Sequence, residues 1–195
     1  ATNGKLERTS KGALHGIVSA SNRNQKIAGF EFSSVNAPLL TNFIKNHLND
    51  EYAVFLWTNV TRVTSATGNI NDSLTLANTA SSSTNNMLGI AVQNTVGAKR
   101  STTRAPTGFV GSLNSNDTLN RGFPFYWGQT PPYQSLNPTK GKSMVLYGYH
   151  LVHVPSSGMT FAELDAKDAE LYAKFFAEGG RFHGDTWSNP AAILP

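Results

Sequence analysis

The chain is 195 residues long with a net charge of +4, and only 14% of it is charged, against about 25% in an ordinary soluble protein. Its polarity comes from 19 Asn, 18 Ser and 19 Thr, a balance that excludes long charged helices and coiled coils and favours a turn-rich β protein of one domain. The absence of cysteine excludes disulfide scaffolds, thiolate chemistry and Cys-based zinc sites, and no apolar run approaches the roughly 20 residues of a membrane span.

Residues 1–25 read as a basic N-terminal arm in which Lys5, Arg8, Lys11 and Arg23 lie among Gly, Ser and Asn. Short strands are expected at 13–19 and 26–32, the second opened by Lys26 and anchored by Ile27, Phe30 and Phe32. A short helix follows near 37–48. Asn36 offers a cap, Pro38 sits in the first turn, and Leu39, Leu40, Phe43, Ile44, His47 and Leu48 recur at helical spacing.

Residues 51–64 give the clearest strand. Tyr52, Val54, Leu56 and Val60 point one way and Phe55, Trp57 and Val63 the other, as in an inner strand covered on both faces. The Ser/Thr/Asn-rich stretch 64–86 carries one short strand at Leu74 and Leu76, and 87–96 reads as another. Residues 97–107, with Lys99, Arg100 and Arg104, read as a basic loop. Strands are expected at 109–113 and 123–127 around a turn region at 114–122, then a proline-rich loop at 128–142. Residues 143–154 form a long strand that alternates Tyr147, Tyr149, Leu151 and His153 on one face.

The C-terminal helix near 160–178 has the best local signals. Thr160 and Glu163 form a capping box, Phe161, Leu164, Leu171, Tyr172, Phe175 and Phe176 a stripe, and Gly179-Gly180 the stop. The sum is a mainly β chain, a jelly roll or β-sandwich of about eight antiparallel strands at 26–155, with the helix and an extension at 156–195.

Chemistry is harder to place. His150 and His153 resemble a metal pair, but three residues apart on a strand they face opposite ways. His183 and Asp185 have no marked nucleophile beside them, and no Gly-x-Ser-x-Gly elbow exists, so no enzyme is expected. Asp168 is the exception among the helix carboxylates. Leu164 and Leu171 flank it, which places it beside the apolar stripe at a position suited to a partner charge or to a calcium ion at an interface. The clusters Asn69, Asn71, Asp72 and Asn114, Asn116, Asp117 lack EF-hand spacing and read as turns; no metal or other cofactor is expected. Phe123, Phe125, Tyr126, Trp127 and Tyr133 form an aromatic group suited to core packing and interface anchoring, or to stacking on a sugar.

The order of elements resembles the single jelly-roll coat proteins of small icosahedral RNA viruses, over about residues 25–155. A short helix precedes a strand of the type Tyr52-Ala53-Val54-Phe55-Leu56-Trp57, and a long last strand runs through Met144 to Val152. The basic arm is sparse for that family, and its calcium-ligand motif is not found, so no metal residues are carried over. The resemblance implies a self-assembling capsid protein of the virion that encloses RNA. Lys5, Arg8, Lys11, Arg23 and Lys26 would neutralise phosphates. Phe125, Trp127, Tyr133, Leu171, Phe175 and Phe176 would serve subunit interfaces, the C-terminal helix being exchanged with a neighbour. No membrane insertion is expected; a host receptor or glycan is a further partner this implies. The alternative is a carbohydrate-binding or adhesive β-sandwich, a lectin or a phage tail or decoration module, using the aromatics of 123–133.

Overall fold

A computed structural model describes residues 4–20, 26–32, 35–64, 73–78, 88–108, 119–128 and 141–195. Arg23, Tyr133, the strand expected at 109–113, most of the loop expected at 128–142 and both Asn/Asp clusters lie outside the described residues. Within them the strands are β1 (Gly4–Arg8), β2 (Leu14–Val18), β3 (Lys26–Phe32), β4 (Tyr52–Arg62), β5 (Ser73–Asn78), β6 (Gly89–Ile90), β7 (Gly97–Ala105), β8 (Leu119–Gly128) and β9 (Ser143–His153). The helical segments are α1 (Pro38–Asn46), α2 (Val154–Ser157), α3 (Phe161–Phe176) and α4 (Pro190–Ile193).

Two antiparallel sheets result. One is ordered β1-β2-β9-β4-β7 and the other β3-β8-β5-β6. The pairings are nested: β2 with β9, β3 with β8, β4 with β7 and β5 with β6. Between the sheets lies the main core, where Tyr52, Val54, Leu56 and Val60 of β4 meet Phe32, Phe125 and Trp127 of the other sheet, with Ile44 of α1 and Met144 of β9. The opposite face of β4 is covered as well. Ala53 and Phe55 pack on Val154 and Leu164 of the C-terminal segment, and Trp57 meets Tyr172 edge-on and Phe175 at a tilt. The two-faced apolar pattern of β4 thus has one partner layer per face.

Several expectations change. Residues 1–25 are not a free arm over their described part: β1 and β2 are sheet strands, paired from Gly4↔Val18 to Arg8↔Leu14. The basic segment 97–107 is largely strand β7, matched to β4 over nine residue pairs from Tyr52↔Ala105 to Val60↔Gly97. It lies at the end of its sheet, where Ser and Thr fit the pleat and charged residues discourage further pairing. The strand expected at 87–96 shrinks to Gly89–Ile90, and β8 starts at Leu119, inside the expected turn.

Tyr147 also leaves its expected face. The β4–β9 register skips it, pairing Trp57 with Gly148 and Thr58 with Leu146. Such a bulge resets the alternation. Tyr149 and Leu151 therefore pack on the inter-sheet core while Tyr147 packs on Phe176 and Phe182 outside it. The N-cap of helix α1 is Ala37, whose side chain cannot cap, rather than Asn36.

Candidate functional site

Helix α3 begins at its capping box: Thr160 Oγ1 accepts from the Glu163 backbone N–H, and Glu163 accepts from the Thr160 N–H at 2.8 Å. Its apolar stripe runs Phe161, Leu164, Tyr172, Phe175 and Phe176, with Asp168 at the buried position between them and Leu171 turned outward. Asp168 is 4% exposed and fully engaged. Its Oδ2 accepts from Trp57 Nε1 at 2.9 Å and Arg100 Nε at 2.7 Å, and its Oδ1 lies 2.7 Å from His150 Nδ1. Arg100 also binds Asp165. Burial pushes the Asp168 carboxyl up, but hydrogen bonds from His150, Trp57 and Arg100 outweigh it and hold it below the ordinary range. A partner charge for Asp168 is supplied within the chain by Arg100, and Phe175 and Phe176 pack on Trp57 of β4 and Tyr147 of β9.

The other expected interface residues divide. Phe125 and Trp127 are 0% and 1% exposed, and Trp127 Nε1 donates to the Met144 carbonyl at 2.7 Å, so both are core residues and cannot anchor a partner. Their run of aromatics reads alike for core and platform, and only the inter-sheet packing decides. Leu171, at 44%, stays available at the surface.

Among the described basic side chains, Lys5 and Arg8, three apart on β1, do not share a face, Lys5 lying beside Glu7 and Arg8 with its Nη1 on the Gly12 carbonyl. Lys11 is exposed in the β1–β2 turn, and Lys26 opens β3. Asp185 pins that turn, accepting from Ser10 Oγ and the Lys11 N–H, and His183 is exposed beside it. Asp185 thereby ties the C-terminal tail to the first hairpin.

One convergence of side chains has no local signal in the sequence. His47, in the turn after α1, and His153, at the end of β9, both approach the same oxygen of Asp50. Oδ2 is 2.8 Å from His47 Nδ1 and 3.0 Å from His153 Nε2. Phe43 stacks on His47 with centroids 4.4 Å apart and meets His153 edge-on at 5.1 Å. Hydrogen bonds from His47 and then His153 hold the Asp50 carboxyl below its usual range. Beside the group is an apolar cavity of about 350 Å³ whose wall includes Phe32, Ile44, Tyr52, Leu151 and His153. His150 points the other way, to Asp168, as the strand alternation requires.

Comparison with known protein families, curated proteins and solved structures returns no match.

Proposed function

We propose that this chain is a jelly-roll coat-protein subunit that self-assembles into an icosahedral shell around RNA. The observation that carries this reading is the nesting of strand pairs, β2·β9, β3·β8, β4·β7 and β5·β6. Such nesting is the pairing of one long antiparallel ribbon folded over on itself, and the two four-strand orders β2-β9-β4-β7 and β3-β8-β5-β6 are those a jelly roll produces. A fold of this kind hosts more than one function, so the role rests also on the surface.

That surface is poor in charge and exposes apolar residues at separate places. Leu39 is 85% exposed and Phe43 38% on α1, while Leu171 lies on α3. Scattered apolar contacts of this kind suit repeated association of one subunit with several copies of itself. Lys5, Arg8, Lys11, Arg23 and Lys26 would contribute phosphate neutralisation, with Lys5 separated from Arg8 by the plane of β1. Burial of Phe125, Tyr126 and Trp127 takes three of the aromatics of 123–133 from the carbohydrate-binding alternative.

Size-exclusion chromatography with light scattering at low and high salt, with the ratio of absorbance at nucleic-acid and protein wavelengths, tests the reading. Large particles carrying RNA that dissociates with salt are expected. A small, discrete oligomer without nucleic acid overturns it and directs attention to glycan binding.

A further inference from the structure

We propose that His47, Asp50 and His153 form a site for a borderline divalent transition-metal cation of the zinc class. The three residues each offer a ligand atom, His47 Nδ1, Asp50 Oδ2 and His153 Nε2, and all three atoms lie within 4.8 Å of one another. Two imidazole nitrogens and one carboxylate oxygen select zinc, cobalt, nickel or copper over calcium and magnesium, which require oxygen ligands. In a tetrahedral site with bonds of about 2.0–2.2 Å the ligand atoms stand roughly 3.3 Å apart. The two nitrogens are already 2.8 and 3.0 Å from Oδ2, so the ion enters by small outward displacements of the rings.

Each ligand is positioned by a different part of the fold. His47 sits in the turn that closes α1, Asp50 just before β4, and His153 at the last position of β9, 103 residues beyond Asp50. His153 is oriented from behind: its Nδ1 is 2.6 Å from Ser156 Oγ. In the metal-free chain Nδ1 also accepts from the Ser156 backbone N–H at 3.3 Å. With Nε2 on the cation the ring's remaining proton moves to Nδ1, that contact is given up, and the proton is donated to the hydroxyl, the outer-shell arrangement that fixes a ligating imidazole. His47 and Asp50 side chains are each 39% exposed, which leaves the remaining coordination positions to water. The bound ion would cross-link α1 to the end of β9 beside the apolar cavity. This holds whether or not the chain forms shells.

The test uses the full chain, stripped with chelator and titrated with Zn²⁺ by calorimetry and with Co²⁺ by visible absorption. One equivalent of Zn²⁺ is expected, with a raised thermal midpoint, a Co²⁺ ligand-field spectrum, and no response to Mg²⁺. His47→Ala and Asp50→Asn, each at a partly exposed position, should weaken Zn²⁺ by about 100-fold while the metal-free chain unfolds as before, and Ser156→Ala by about tenfold. His183→Ala should bind as wild type. Absence of stoichiometric uptake, or uptake indifferent to both His47→Ala and Asp50→Asn, overturns the proposal.

Discussion

The indole Nε1 of Trp57 donates to Oδ2 of Asp168 at 2.9 Å, joining the outer face of β4 to helix α3 across 111 residues of chain. The same oxygen takes Arg100 Nε from β7. One carboxylate thus fastens the C-terminal helix to two neighbouring strands, and the aromatic stripe beside it closes over Trp57 and Tyr147.

Asp168→Ala should destabilise the chain by about 1–3 kcal/mol in urea unfolding followed by tryptophan fluorescence, because it leaves the buried Trp57 N–H without its acceptor and takes from Arg100 one of its two carboxylates. The native carboxyl titrates below its unfolded value, so its contribution is complete above about pH 4 and is lost as the pH falls further, through the native value. Asp168→Asn, which keeps the shape and loses the charge, should reduce that acid-side slope. A variant as stable as wild type, with the same slope, would refute this role.

Gly16 of β2 lies against the ring of Trp127. A Cβ there would stand 2.3 Å from its Cγ and Cδ1, far inside contact distance. Gly16→Ala should therefore cost about 1–3 kcal/mol or more by overpacking, and the cost should shrink in a Trp127→Leu background where the ring is gone. Denaturant unfolding of the two single variants and the double variant measures the coupling. Equal cost in both backgrounds would mean that the strand moves aside.

What the sequence displayed was local, and what it concealed was long-range. Thr160 and Glu163 announce the start of α3 because capping takes place within one turn. The alternation of Tyr52 to Val60 marks β4 because each face has its own apolar layer. By contrast, Lys99, Arg100 and Arg104 disguise β7 as a loop, since its strand character comes from pairing with β4 and the charges of Arg100 and Arg104 are answered by Asp165, Asp168 and Glu51 elsewhere. Asp168 pointed to a missing partner, yet nothing local could name Arg100. His47, Asp50 and His153 meet only because α1 closes over the end of β9; separately, His47 reads as one more residue at helical spacing.

His15 on β2 is fully buried between Glu7 and Thr61, with Nδ1 2.9 Å from Glu7 Oε1 and Nε2 2.8 Å from Thr61 Oγ1. Burial pushes its imidazole down from the usual value, and Glu7 offsets this only in part. The unfolded chain therefore takes up a proton near pH 6.5 that the native chain resists. Stability from this residue is complete above that pH and declines as the pH falls toward the native value. The advantage of wild type over His15→Gln should accordingly narrow between pH 7 and pH 5 in urea unfolding; a gap that stays constant or widens would contradict it.

Leu171 and Phe176 belong to the same helix and were expected to play the same part, but their surroundings differ. Phe176 packs on Tyr147, Tyr172 and Phe182, with centroids 4.8, 4.5 and 5.6 Å away, whereas Leu171 is 44% exposed. Phe176→Ala should lower stability by about 3 kcal/mol, in the range for removal of a packed aromatic. Leu171→Lys and Leu39→Glu should each stay within about 0.5 kcal/mol of wild type in unfolding, as expected for surface positions. Under the shell reading the two surface variants act instead on association, since each places a charge where an apolar contact between copies would form. Light scattering of the two variants should report fewer or smaller particles at unchanged secondary structure. If both assemble as wild type does, neither α1 nor the outward face of α3 carries the subunit contacts, and the exposed edge of β7 becomes the surface to alter next.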